Sequence, residues 1–281
     1  MKTLLAPCLL SLLILPLTAQ AGSSMRSGGE SFVSLELNMD MGARIFDKGG
    51  KRLSGSCSPG QSINAYGEYG WSYYTTVYAS GSLRHQTCGS NEKTGLESGK
   101  IGISRRVMPT SNALVWETAL LLPSARIGNQ SSNRDAFGVQ AGLHFHPRPD
   151  PYNLDLPVDP LQAYWDFGAA VKTWFDNSPT EGSVYLRYTL PLRASDLNLG
   201  IGGWSATAGL DYSQTLGNTR NTTPFAIDSN DVFRRLNASV SIRHALGRDE
   251  NLSIGLQTSL SGKNTSDSSA INISYEKTYL K

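Results

Sequence analysis

Beyond its N-terminus the chain lacks any apolar run approaching the ~20 residues that a membrane-spanning helix requires. That excludes insertion of the body as helices. It does not exclude a spanning barrel, whose strands alternate their side chains and average out as polar. Charge of one sign is also scarce: 25 Lys and Arg stand against 23 Asp and Glu, a net +2. Nothing in that balance calls for a nucleic acid partner. Cysteine is sparse, with three in 281 residues. No Gly-x-Ser-x-Gly elbow or other local nucleophile signature occurs. The cluster Gly200-Ile201-Gly202-Gly203 lacks the βαβ setting that a dinucleotide site demands. The sequence therefore reads as a non-enzyme without a cofactor.

What is present begins with an export signal. Lys2 gives a positive start, Leu4 to Leu17 an apolar stretch, and Ala19-Gln20-Ala21 a small-residue cleavage pattern. Residues 1–21 are expected to leave as a signal peptide, the alternative being an N-terminal anchor that is short for a bilayer. Cys8 would leave with them. Cys57 and Cys88 then remain as an even pair in an oxidising compartment, which predicts a disulfide between them.

From residue 22 to 281 the chain switches between apolar and polar at every second position, the period of a strand. Leu252, Ile254 and Leu256 alternate with Ser253, Gly255 and Gln257. Ile271, Ile273 and Tyr275 alternate with Asn272, Ser274 and Glu276. Val33, Leu35 and Leu37 oppose Ser34, Glu36 and Asn38; Phe137, Val139, Leu143 and Phe145 oppose Gly138, Gln140 and His144. Extended along the chain, the pattern predicts an all-β fold: a closed antiparallel transmembrane barrel of about twelve strands, an even number as bacterial single-chain barrels have.

The connections fall into two sets, as long outer loops and short inner turns should. Outer loops are expected near 40–60, 85–97, 123–134, 175–181, 217–231 and 261–269. Inner turns are expected at Gly70-Trp71-Ser72, Met108 to Asn112, Pro191 to Leu197 and Ala245 to Glu250. Pro147 to Pro160 breaks this rule, being an inner connection that is long and rich in proline. Both Cys57 and Cys88 fall on the outer side. Tyr69, Trp71 and Tyr73 gather at one strand end, where barrels carry an aromatic girdle.

Charged residues keep to the polar face. The lumen-lining candidates are Glu36, Glu68, Arg84, Arg106, Glu117, His144, Asp166, Lys172, Arg187, Asp211, Arg235 and Arg243, with Lys100 and Glu276 beside them. An Arg or Lys turned to lipid at the midplane costs roughly 2–4 kcal/mol, so one-sided charge points to a wet or hydrogen-bonded interior. Such an interior is either a mixed-charge passage for a polar, saccharide-like solute or a plug of mutually paired charges. His144 and His146 share a face and would offer two metal ligands, but no further ligand accompanies them and lumen lining is the simpler reading.

Tyr66-Gly67-Glu68-Tyr69-Gly70, leading into a Thr-containing strand, resembles a segment of the XagA-like and MetA-pathway phenol-degradation outer-membrane barrel families. Gly29-Glu30, Phe46-Asp47 with Gly49-Gly50, and Leu120-Leu121-Leu122-Pro123 carry the same likeness. The resemblance implies a pore or export channel in the bacterial outer membrane. It further implies outer-membrane lipid, the barrel-insertion machinery and exopolysaccharide export components as partners. The chain departs from many such barrels in ending Tyr279-Leu280-Lys281 rather than on an aromatic residue. Three other readings stay open: a closed accessory barrel of a surface-polysaccharide assembly system, a lipid-modifying barrel, and a soluble secreted β-sandwich or adhesin. The last would partition into buffer without detergent.

Overall fold

The computed structural model describes residues 25–42, 44–55, 57–88, 90–108, 111–124, 136–146, 163–176, 178–192, 203–216, 233–247, 249–267 and 269–279. The expected signal peptide and the whole Pro147 to Pro160 connection lie outside these residues.

Alternation of apolar and polar residues produces strands, and the strands close on one another. They are β1 (Ser31–Asp40), β2 (Arg44–Phe46), β3 (Arg52–Ser54), β4 (Gln61–Ser72), β5 (Thr75–Cys88), β6 (Asn91–Met108), β7 (Ser111–Leu121) and β8 (Gly138–Phe145). Then follow β9 (Tyr164–Trp174), β10 (Thr180–Leu192), β11 (Trp204–Leu216), β12 (Arg234–Ala245), β13 (Glu250–Lys263), β14 (Thr265–Ser266) and β15 (Ala270–Tyr279). All but β2, β3 and β14 form one closed antiparallel barrel of twelve strands. Each strand pairs with its sequence neighbour in the barrel, and β1 closes the ring against β15, with Leu35 opposite Tyr275. Closure leaves the barrel sheet without a free edge, which is what a sheet surrounded by hydrocarbon requires. Apart from the short β8, the barrel strands have ten residues or more, enough to cross a bilayer at a tilt.

The two faces separate as the alternation predicts. Val33, Leu35, Ile63, Leu83, Ile101, Leu143, Val240, Ile254 and Leu256 stand exposed on the outside. Ser34, Glu68, Arg84, Glu117, Asp166, Asp211 and Asn237 are buried within. A water-soluble protein does the opposite. Here the apolar belt faces outward because lipid, not water, is the solvent it meets.

Some connections differ from expectation. Residues 85–97 are not a loop: β5 and β6 continue as a paired ribbon with Thr87 opposite Glu92. The reading missed this because period two is legible only where one face is apolar, and both faces of this ribbon are polar. The first inner turn is Tyr73-Tyr74 rather than Gly70-Trp71-Ser72, because β4 runs on through Ser72 with a register shift after Gly70. The expected loop 40–60 contains β2 and β3, which join β14 in a small separate sheet. Phe46 of β2 is buried against Gly262 of β13, where an added Cβ would lie 2.4 Å from its ring. Cys57 and Cys88 are bonded, fastening the chain after β3 to the end of β5.

Candidate functional site

Inward-facing positions of the strands surround a cavity of about 540 Å³. It is lined by Glu36 of β1, Arg84 of β5, Lys100 of β6, His144 of β8, Asp166 and Lys172 of β9, Arg187 of β10, Arg235 and Arg243 of β12, and Glu276 of β15. Of the other candidates, Glu68, Arg106, Glu117 and Asp211 are buried in the inner wall without lining that space. Eight of the twelve predicted residues thus line the cavity.

One arc of the wall is filled by a connected polar network. Glu117 of β7 accepts a bond from Tyr78 Oη at 3.2 Å and another from Gln140 Nε2. His144 Nε2 lies 3.3 Å from the same carboxylate, and its Nδ1 is 3.1 Å from Tyr185 Oη. Tyr185 in turn donates to Asp166 at 3.0 Å. Asp166 also faces His146 Nδ1 at 3.3 Å and Arg187 Nη1 at 3.8 Å. The sequence supplies this chain through residues two apart on successive strands, so each step crosses one or two strands. Gly102 makes room for it, since a Cβ there would sit 2.6 Å from the Tyr78 ring.

Residues 25–30 extend the filled region at the end where the chain enters the barrel. Arg26 Nε donates to Glu68 at 2.6 Å, its Nη1 to Glu30 at 3.2 Å, and its backbone N to Thr76 Oγ1 at 3.0 Å. The guanidinium also covers the Phe32 ring at 4.2 Å. Burial works against the charge of Arg26, but Glu68 and Glu30 outweigh it and hold its pKa above the ordinary value. Gly70 is required here: an added Cβ would stand 2.0 Å from the Ser27 carbonyl oxygen. Strand reasoning missed Arg26 because it precedes β1, though the Gly28-Gly29 turn before Glu30 marks a chain that doubles back.

At the opposite end Arg84 bonds Asp40 and reaches Glu97 at 3.4 Å, while Ser82 Oγ donates to Glu97 at 2.9 Å. A register shift between Ser82 and Leu83 pairs Leu83 with Leu96 and Ser82 with Ser98, leaving Glu97 as an extra residue turned to the lumen. No alternation pattern locates a bulge, so Glu97 escaped the sequence reading. Above it, Arg44 and Arg52 of the small sheet both approach Asp267, at 3.4 and 3.2 Å.

The remaining arc is of another kind. From β12 through β13 to β15 the lining side chains include Ser239, Ser241, Ser253, Gln257, Asn272 and Ser274. Its charges stand at the two ends, Arg235 at one and, at the other, Arg243, whose Nη2 meets Glu276 at 2.6 Å. Ser253 and Ser274 share a 2.6 Å bond across the β13–β15 ladder. Small residues leave open the space that tyrosines occupy elsewhere.

The exterior, the closure and the polar interior together decide the class. The molecule is an outer-membrane β-barrel. Among solved structures it is similar to the COG4313 outer membrane channel from Pseudomonas putida, with a TM-score of 0.61 and 11% identity over 93% of this chain and 100% of that one. It is also similar to the β domain of the Bordetella autotransporter BrkA, with a TM-score of 0.52 and 14% identity over 90% of this chain and 100% of that one. At such identities the likeness is one of fold. No protein-family model and no curated protein matches the sequence.

Among the described residues no group of three or more His, Cys, Asp or Glu is placed to hold a metal ion. His144 and His146 each engage a carboxylate instead. Aromatic residues crowd one rim: Tyr69, Trp71, Tyr73, Tyr74, Trp165 and Tyr279 are all exposed there, Trp71 at 74%. Trp165 packs on Tyr188 at 4.6 Å. This is the girdle expected at a lipid–water boundary.

Proposed function

We propose that the chain is a channel of the XagA-like and phenol-degradation-like kind, not an enzyme, which lets small polar or amphiphilic organic solutes cross the outer membrane. Residues 1–21 are removed on export and 22–281 form the barrel, delivered to the membrane by the barrel-insertion machinery. The observation that carries this reading is the polar cavity inside a closed, apolar-coated cylinder. Its size falls in the range of small-molecule sites, ~300–1,000 Å³. That the Pseudomonas putida neighbour is an outer-membrane channel supports the same reading. The eight lumen candidates that line the cavity are its passage wall, and the other four brace it from behind. Purified protein added to planar bilayers is expected to give discrete conductance steps. A bilayer that stays silent with folded, heat-modifiable protein overturns the proposal.

A second reading is favoured by the Arg26–Glu68 contact and the filled arc beside it. In that reading the barrel is a closed accessory of surface-polysaccharide assembly. It would co-purify with exopolysaccharide export components and conduct nothing.

A further inference from the structure

The lumen charges are not evenly matched. Arg26, Arg84, Arg187 and Arg243 each lie within ion-pair distance of a carboxylate. Lys100 and Lys172 both line the cavity, and among the described residues neither ammonium has a carboxylate at that range. Glu117, on the neighbouring strand β7, already has Tyr78, Gln140 and His144 around its oxygens. Glu181 is the ladder partner of Lys172 without reaching it as an ion pair. Glu36, on β1, is bonded by the amides of Asn38 and Asn64 at 2.8 and 2.9 Å.

The two lysines also face one space from the same side of the barrel. Rows of the barrel run Gly102–Ala119–Gln140–Lys172 and Lys100–Leu121–Gly138–Trp174 across β6, β7, β8 and β9. Lys100 and Lys172 therefore stand three strands apart on one arc and line the same cavity, with Ala119, Leu121, Gly138 and Gln140 between them. Two like charges facing one wet space repel, and an anion between them relieves the repulsion while accepting bonds from both. An apolar platform adjoins them. The Lys100 ammonium lies 5.1 Å from the Tyr78 ring centre, and Tyr78 stacks on Tyr66, which lines the cavity.

We infer that Lys100 and Lys172 form a binding site in the lumen for a small organic carboxylate, whose ring or hydrocarbon body lies along Tyr66. The inference rests on the channel reading and names the solute class of that passage. The lysines hold the carboxylate, the tyrosine face takes the apolar part, and the Ser- and Asn-lined arc opposite leaves room for water and exit.

The test uses the mature protein in detergent micelles, titrated by calorimetry with sodium benzoate, inorganic phosphate and neutral benzyl alcohol in turn. Benzoate is expected to bind, phosphate more weakly, and benzyl alcohol not measurably. Replacing both lysines (Lys100→Gln with Lys172→Gln) is expected to lower benzoate affinity about tenfold or more, as loss of charged hydrogen bonds does. The charge-keeping pair Lys100→Arg with Lys172→Arg is expected to retain most of the affinity, which keeps the test valid if the glutamine pair does not fold. Equal binding of benzyl alcohol, undiminished affinity in the glutamine pair, or lost affinity in a folded arginine pair would each overturn the site.

Reversal potentials in bilayers separate the two layers of the argument. A conducting protein that prefers chloride and loses that preference in the glutamine pair supports both. Conductance with unchanged potassium preference and no benzoate binding sinks the carboxylate site and leaves the channel. Lysine-dependent benzoate binding with no conductance sinks the channel and leaves the site.

Discussion

Two walls of one lumen are built from the same strand geometry in opposite ways. Along β5 to β10, Glu117 and Asp166 are each held by three or more groups, and tyrosines and histidines bridge one strand to the next. Along β12, β13 and β15, the wall between Arg235 at one end and the Arg243–Glu276 pair at the other is mostly serine, asparagine and glutamine, with Ser253 and Ser274 bonded to each other. The difference lies in side-chain volume and charge, not in backbone: both walls are continuous antiparallel ladders. A buried carboxylate is tolerable only when every oxygen is satisfied, so the first wall must be filled to exist. Serine asks for little, so the second can stay open. Rigidity and passage are thereby assigned to different arcs of one ring.

The sharpest way to break this contrast is to remove the centre of the filled wall. Glu117→Leu strands the Tyr78 hydroxyl, the Gln140 amide and His144 together. Breaking a buried polar cluster from one side costs about 3–5 kcal/mol, and denaturant titration of the vesicle-folded barrel should read a loss of that order. A loss below about 1 kcal/mol would mean that water already fills this wall and that the two arcs do not differ.

The disulfide should rank next. Cys57→Ser with Cys88→Ser opens a closure spanning 31 residues, which chain-entropy reasoning values at about 3–4 kcal/mol. The same titration measures it, and non-reducing against reducing gels confirm the bond in the parent. Since the link joins β5 to the chain before β4, the filled side should lose stability while conductance through the open side persists.

How much of this was legible from residues alone follows from the same physics. Strand positions and facing were readable wherever one face met lipid, because only then do Leu, Ile and Val mark every second place. The alternation alone therefore turns Glu36, Glu117, Asp166 and Arg243 inward. Their partners were not. That Glu117 meets Tyr78 rather than Lys100 depends on stagger between strands, which a local pattern does not encode. Glu97 was hidden by a bulge, Arg26 by its place before the first strand, and the 85–97 ribbon by polar residues on both faces. The small sheet of β2, β3 and β14 pairs segments more than two hundred residues apart in the chain, and nothing local announces that pairing.

A third prediction compares neighbours on one strand. Ile254 points outward and Ser253 inward on β13. Ile254→Arg should cost roughly 2–4 kcal/mol because it carries charge into lipid. Ser253→Arg should leave folding nearly unchanged and instead reduce conductance by filling the open arc. The two variants differ by one position and should differ in which measurement moves. If both destabilise alike, the interior is dry and the passage is wrong.

The smallest effect is expected where the open wall is trimmed rather than filled. Ser239→Ala and Ser241→Ala remove hydroxyls that line the cavity on β12. Each should shift stability by no more than about 0.5 kcal/mol, as substitutions away from packed or paired groups do. A hydroxyl that water can replace contributes little net energy, whereas one bound in a network leaves its partner unsatisfied. The second case is that of Asn237, fully buried two residues before Ser239 on the same strand, which accepts from Ser259 Oγ at 2.9 Å. Asn237→Ala should therefore cost more than the two serine variants together. Were Ser239→Ala to cost as much as Asn237→Ala, the serines would be structural, and the open arc would be a second filled one.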